Sequence, residues 1–252
     1  MAILKTPAIV IKTQPFRSSS LIITFFSKDY GKIRGLAKGV RLERETRGAL
    51  YELFSHLEIV YYEKTRSDLH LVSEAFLLDS YDAIRLRLES ITYASYFAEL
   101  VEELTEVQDP HSKIFELLDF SYQYLASLPG QRLARLFEIK LLNEIGWLPY
   151  LEGCVICRKP IPEKGFFSAR QGALLCAACA VSHPDALPLG RESLATMRYY
   201  IQNDLSQSIK WALSKPAETE LERLMNRFFL ERLNKPLKSR SFLEKVALSP
   251  RI

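Results

Sequence analysis

Residues 8–41 read A-I-V-I-K-T-Q-P-F-R-S-S-S-L-I-I-T-F-F-S-K-D-Y-G-K-I-R-G-L-A-K-G-V-R. Three short runs stand out in it, Ala8 to Thr13, Leu21 to Phe26 and Gly31 to Ala37. They are dominated by β-branched and aromatic residues and are separated by Pro15 with Ser18-Ser19-Ser20 and by Lys28-Asp29-Tyr30-Gly31. Side chains that crowd a helix and fit a pleated surface, punctuated by turn formers, predict strands. Ile33, Leu36 and Val40 break strict alternation, which leaves the register of the third strand open. Leu57 to Tyr62 and Leu69 to Phe76 continue the pattern beyond a long basic loop near positions 39–50. Five short strands in so little chain predict a small closed barrel, and the five-stranded OB-fold is the expected form.

From Ser80 the period changes to three or four residues. Ile84, Leu88, Ile91, Ser95, Ala98, Val101 and Leu104 predict one long helix. Asp109-Pro110 offers an N-cap and a first-turn proline for a second helix, which runs to Pro129-Gly130. A third extends from Gln131 to Ile145, with Gly146 as its stop. Two or three more follow Pro188, the strongest from Ala217 to Leu233. The expected fold is α+β: a barrel domain at 1–79, a helical domain at 80–149 and 186–252, and a cysteine module at 150–185 embedded within it. The helical blocks on either side of the module are expected to share one core. Glu99, Glu102, Glu103 and Glu106 of the first helix are expected on a solvated face.

The module holds all four cysteines, as two Cys-x-x-Cys pairs, Cys154/Cys157 and Cys176/Cys179, with eighteen residues between them. Two thiolates on a tight turn grip one metal, and a hairpin carrying the second pair completes a tetrahedron of the kind zinc prefers. Gly165 to Ser168 and Ala173 to Leu175, around Arg170-Gln171-Gly172, supply that hairpin. Four thiolates fill the coordination sphere, so the single zinc ion expected here is structural. The alternative is two disulfides, which requires an oxidising compartment. His183 stands four residues after Cys179 as a spare ligand.

Charge is unevenly spread. Residues 1–50 carry ten Lys/Arg against three Asp/Glu, residues 51–150 eight against seventeen, and residues 151–252 sixteen against ten. The basic head contains Lys12, Arg17, Lys32, Arg34, Lys38, Arg41, Arg44 and Arg47, interleaved with Phe16, Phe25, Phe26 and Tyr30. Cations that track phosphates, joined to rings that stack on bases, suit a nucleic-acid groove, with one of Phe25 and Phe26 expected to face the core instead. No apolar run reaches the roughly 18 residues of a bilayer span. The N-terminal residues lack a signal-peptide layout, so a cytoplasmic setting is expected. There is no phosphate-binding loop of the Gly-x-x-x-x-Gly-Lys-Ser/Thr type, no Gly-x-Ser-x-Gly and no His-Glu-x-x-His, and His56, His70, His111 and His183 are scattered.

The stretch at 8–41, the run R-L-F-E-I-K-L-L-N-E-I-G-W-L-P at 135–149 and the cysteine pairs together resemble RecO, the bacterial recombination-mediator family. The resemblance covers nearly the whole chain, with Trp147 standing where the family usually carries Tyr. It implies a non-enzymatic DNA-repair factor, associated with the nucleoid. Such a factor binds single- and double-stranded DNA, anneals complementary strands and helps load recombinase onto strands coated by single-strand binding protein. It works with RecR and sometimes RecF, and contacts the acidic, Phe-ending tail of the single-strand binding protein. Arg34, Lys38 and Arg41 fall where the family places DNA-contacting cations. Arg135 is a candidate for the tail carboxylate, against an internal bridge to Glu138. Two other readings remain on the residues alone, a zinc-containing nucleic-acid hydrolase or glycosylase and a protein-binding scaffold.

Overall fold

A computed structural model describes residues 2–41 and 48–248. Five strands, β1 (Ile3–Phe16), β2 (Ser20–Ser27), β3 (Gly31–Ala37), β4 (His56–Tyr62) and β5 (Leu69–Asp79), close into a barrel of order β1-β2-β3-β5-β4. β1 is long because it serves two neighbours: its first half pairs with β4 and its second with β2, across a bulge between Val10 and Lys12. All pairs are antiparallel except β3 with β5. This order, with one parallel pair, is the OB topology expected from the sequence. The interior is filled by Ala8, Val10, Ile23, Phe25, Ile33, Leu57, Ile59, Tyr61 and Val72, with Tyr51 from a 3-10 turn at Ala49–Tyr51 meeting Phe25 edge-on at 6.4 Å. β3 does alternate once it is paired: Ile33, Gly35 and Ala37 face in, while Lys32, Arg34 and Leu36 face out.

The long first helix of the sequence reading is two helices, α1 (Asp82–Arg85) and α2 (Leu88–Leu104). Arg87 between them is extended, and its guanidinium donates to the Leu125 and Ala126 carbonyls at 3.1 and 2.5 Å. Anchoring that side chain breaks a helix that periodicity alone would continue. The next helix, α3 (Ser112–Tyr124), starts after Asp109-Pro110, with His111 at its N-cap position. The residues before it are held by the barrel: Lys32 and Val107 form a parallel bridge, and the Gln108 N–H donates to the Lys32 carbonyl at 3.0 Å. Gly31, at φ +64°, permits this approach, since a Cβ there would lie 2.0 Å from the Asp109 carbonyl oxygen.

The chain divides into two compact units, Met1–Ser127 with Phe242–Ile252, and Leu128–Ser241. The compact barrel unit therefore runs past the expected boundary at 79/80 and takes in α1 to α3. In it, the Tyr81 hydroxyl donates to Asp119 of α3, and Phe54 meets Tyr122 edge-on at 5.5 Å. Within this unit α2 packs on β1 and α3 on β2. The second unit is built on α4 (Gly130–Glu144), α6 (Arg191–Gln202) and α8 (Lys215–Leu233), which pack on one another, with the short α7 (Leu205–Ser208) beside α6. α8 begins as the sequence directs, with Ser214 capping the Ala217 N–H and Pro216 in the first turn. Between α4 and α6 lie β6 (Gly165–Ser168), β7 (Ala173–Leu175), α5 (Ala177–Ala180) and β8 (Ala186–Leu189). β8 is a third strand that the sequence reading did not include. A last helix, α9, spans Lys238–Leu248. Among the described residues no helix is long and apolar enough to cross a membrane.

Candidate metal centre and nucleic-acid interface

The first cysteine pair sits on a knuckle. The Arg158 N–H donates to the Cys154 carbonyl and the Cys154 N–H to the Lys159 carbonyl, both at 2.9 Å, with Arg158 at φ 61° turning the chain. This knuckle is stitched to β7 by three main-chain bonds: Tyr150 N–H to Gly172 O at 3.1 Å, Leu174 N–H to Tyr150 O at 3.0 Å and Val155 N–H to Leu174 O at 2.9 Å. β7 pairs with β6 as the expected hairpin and leads directly into Cys176, which caps α5. The four Sγ atoms consequently lie within 4.8 Å of one another, and Cys157 and Cys176 are 3.7 Å apart.

A tetrahedral ion with metal–sulfur bonds of about 2.3 Å places sulfurs about 3.8 Å apart, so the cluster has the size of a four-thiolate zinc site. A disulfide needs about 2.05 Å, and all four thiols are free. Burial pushes the Cys154 thiol up, but N–H groups of Cys157, Cys176 and Ile156 outweigh it and bring it down to about 6. Cys179 is pushed up to about 12, chiefly by its neighbour Cys176. Four such thiols cannot all ionise together without a cation among them. His183 is not part of the cluster; its Nδ1 pairs with the Cys179 carbonyl oxygen at 2.9 Å.

On the barrel, the structure sorts the sequence-expected cations into two groups. Lys12 pairs with Glu102 of α2 at 2.6 Å. Lys32 donates to the carbonyls of Glu102 and Thr105, at 2.6 and 2.7 Å, and so caps the C-terminus of α2, where a positive charge is favoured. Burial lowers the pKa of Lys32, and Glu102 and its acidic neighbours partly restore it. Both lysines are committed to holding α2, and Glu102 is correspondingly not on a purely solvated face.

Arg17, Arg34, Lys38 and Arg41 are exposed. The Arg41 guanidinium donates to the Arg17 carbonyl at 3.1 Å, and its N–H donates to the Ser19 carbonyl at 2.9 Å. These bonds join the β1–β2 loop to the segment that follows β3. Arg34 faces outward beside Thr24 of β2 and Leu69 of β5. In the adjacent row, Ile22, Leu36 and Leu71 form a half-buried apolar strip. Arg44 and Arg47 lie outside the described residues.

The expected aromatic partners are mostly unavailable. Phe25 is inside the barrel and Phe26 is wholly buried, while Tyr30 packs edge-on against Tyr61 at 6.2 Å. Phe16 alone of the four is near the exposed cations, with the Arg17 guanidinium 5.2 Å from its ring centroid. Arg66, outside the set expected from the sequence, is exposed in the β4–β5 loop, which leads into Leu69 beside Arg34. Only the parallel β3–β5 pairing reveals that neighbourhood.

Arg135 is 1% exposed and pairs with Glu138 at 2.8 Å. The tail-contact reading of this residue is therefore set aside in favour of the internal bridge. Burial was illegible in its sequence position because R-L-F-E offers the guanidinium a partner one helical turn away in either case.

Family models extend these observations along the chain. "Recombination protein O N terminal" matches residues 1–81, and "Recombination protein O C terminal" matches residues 85–241. The chain belongs to the RecO family. It is 30% identical over 244 residues to the DNA repair protein RecO of Anaeromyxobacter sp. (strain K), covering 96% of each chain. To that of Acetivibrio thermocellus it is 28% identical over 246 residues, covering 97% of each. To that of Syntrophus aciditrophicus it is 29% identical over 247 residues, covering 96% of this chain and 95% of the relative. This RecO-family chain thus combines an OB barrel with a thiol cluster of metal-binding size, in a family of DNA repair proteins.

Proposed function

We infer that the chain is a DNA repair and recombination mediator that binds single- and double-stranded DNA through its barrel and anneals complementary strands. The observation that carries this reading is an exposed set of cations: Arg34 on the β2–β3 face, Arg17 in the β1–β2 loop, and Lys38 and Arg41 in the segment after β3, where Arg41 bonds to that loop. OB-folds take up oligonucleotides on that face and in the loops after β1 and β4. Cations there neutralise phosphates and lower the repulsion that opposes pairing of two strands. No bond is made or broken in annealing, so the activity calls for no nucleophile or general base.

The resemblance to RecO supplies the remaining roles: loading of recombinase onto strands coated by single-strand binding protein, with RecR and in some settings RecF as partners, in the bacterial cytoplasm at the nucleoid. Zinc is the ion assigned to Cys154, Cys157, Cys176 and Cys179, because four thiolates at this spacing match its preference. It would lock the two knuckles together, and a filled sulfur tetrahedron leaves it no open position for chemistry.

Annealing of complementary oligonucleotides without ATP, at low and high salt and on bare and coated strands, tests the function. With four phosphates neutralised on a single strand, log affinity should fall with log salt at a slope of about −3. Binding that is flat with salt, or absent annealing, overturns the reading.

A further inference from the structure

The cysteine module carries a cleft that neither the thiol cluster nor the barrel cations account for. After Gly146 the chain runs through Trp147-Leu148-Pro149-Tyr150 to reach β7, and it displays two rings on the way: Trp147 is 40% and Tyr150 37% exposed. Together with Leu148, Val155, Gln171 and Arg232 they line a cleft of about 570 Å³ in which no carboxylate residue takes part among the described lining. That volume lies within the range of small-ligand sites.

Arg232 comes from the last turn of α8 and lies 5.0 Å from the Phe228 ring centroid. It occupies the space left by Gly172, where φ is +61° and a Cβ would come within 2.3 Å of Nη2. Arg158, from the first knuckle, stands 5.8 Å from the Tyr150 ring centroid. Among the described residues neither guanidinium enters an ion pair or a side-chain hydrogen bond. Their donors are held in place by ring contacts and remain uncommitted.

Rings left half-exposed beside uncommitted guanidinium groups match a ligand that alternates flat π-faces with negative charge. We propose that this cleft binds one or two nucleotides of a single strand, with a base stacked on Trp147, a phosphate on Arg232 and the Gln171 amide facing a base edge. The inference rests on the reading of the chain as a DNA-binding protein and adds a second contact, remote in sequence from the barrel. An acidic peptide with an aromatic end shares part of the chemistry. A nucleotide strand presents a flat face to a ring, a charge to a guanidinium and a base edge to an amide within one repeating unit, and the outcomes below separate the two ligands.

The chain has two tryptophans, and Trp211 is stacked on Tyr199 at 4.1 Å, so Trp211→Phe leaves Trp147 as the sole reporter. In that full-length, zinc-loaded protein, a short oligothymidylate should quench Trp147 emission saturably. Trp147→Ala and Arg232→Ala should each weaken oligothymidylate binding about tenfold, with Trp147→Phe retaining most of it. Zinc content and near-ultraviolet dichroism identify any variant that has lost its fold. In the triple variant Arg34→Ala, Lys38→Ala, Arg41→Ala, quenching should persist at raised oligonucleotide concentration. Oligonucleotide binding seen by anisotropy without any change in Trp147 emission overturns this inference and leaves the proposed function standing. Absence of binding altogether sinks both. Quenching by an acidic, Phe-ended peptide but not by the oligonucleotide overturns the inference and assigns the cleft to a peptide.

Discussion

The barrel and the cysteine module reach order by different routes. The barrel has strands of seven to fourteen residues, every strand paired on two sides over part of its length, and an interior of fully buried apolar side chains. Main-chain pairing and burial suffice to hold it. The module has strands of four, three and four residues and two knuckles whose thiols point at one another. So little sheet cannot fix two loops by itself, and a shared ion is the natural clamp. A region that folds on its own packing tolerates exposed charge on its surface, whereas one folded around a cluster depends on the occupancy of that cluster.

Chelating the zinc proposed for the thiol cluster, or replacing Cys154 by Ser, should give the largest effect. Structural zinc supplies about 10–16 kcal/mol of apparent folding free energy in small zinc-finger peptides. Hydrogen exchange should show loss of protection across residues 150–189 while the barrel strands stay protected; equal loss in β1 to β5 would break the contrast between the two regions. In the opposite direction, Phe25→Ala empties the barrel core and should cost about 3–5 kcal/mol of stability. Denaturant melts monitored by barrel signals would show it, with zinc content unchanged at one per chain.

A finer division runs within the barrel itself, between committed and exposed cations. Lys32→Ala removes the cap of α2 and should lower stability by about 1–2 kcal/mol, with the salt slope of DNA binding unaltered. Arg34→Ala combined with Lys38→Ala should leave the melting curve in place and reduce the salt slope on single strands by about 1.4. Interchange of these two results would mean that the exposed cations are not the ones that meet phosphate.

The smallest expected effect concerns acid. Burial raises the pKa of Asp119, but hydrogen bonds from His56 and Tyr81 outweigh it, and the net shift is downward. A carboxylate whose folded pKa lies below its unfolded value of about 3.9 stabilises the fold at higher pH, and that contribution fades as pH falls through the folded pKa. Asp119→Asn should therefore flatten part of the acid limb of the stability curve below about pH 4. An unchanged acid limb would show that the Asp119 cluster does not tie α3 to β4.

Much of this was legible in local sequence because it depends on local chemistry. Alternating β-branched runs announce strands, and the loop lengths between them limit how they can pair. Two Cys-x-x-Cys turns with a hairpin between them can converge on one point whatever surrounds them. The strands and the thiol cluster accordingly fall where the residues indicated. A lysine's partner is another matter, because it is set by whichever helix arrives beside it. Lys12 and Arg34 look alike in a row of basic residues, yet Glu102 lies 90 residues from Lys12 and decides its role. The same holds for α2 and α3: an apolar stripe shows that a helix must be buried, while only packing shows that the barrel buries it. Phe25 and Phe26 are both lost to stacking for this reason, one to the barrel interior and one beneath neighbouring structure.

The sequence alone therefore determined the strand content, the convergence of the four cysteines and the sign of the charge on the N-terminal surface. All of these follow from residue type and spacing over a few positions. Tertiary structure decided which cations reach solvent, where the compact units divide, that Arg135 turns inward to Glu138, and that Trp147, Tyr150 and Arg232 share one cleft. Those outcomes depend on contacts between residues far apart in the chain, and burial of a charge or a ring is a property of what packs against it.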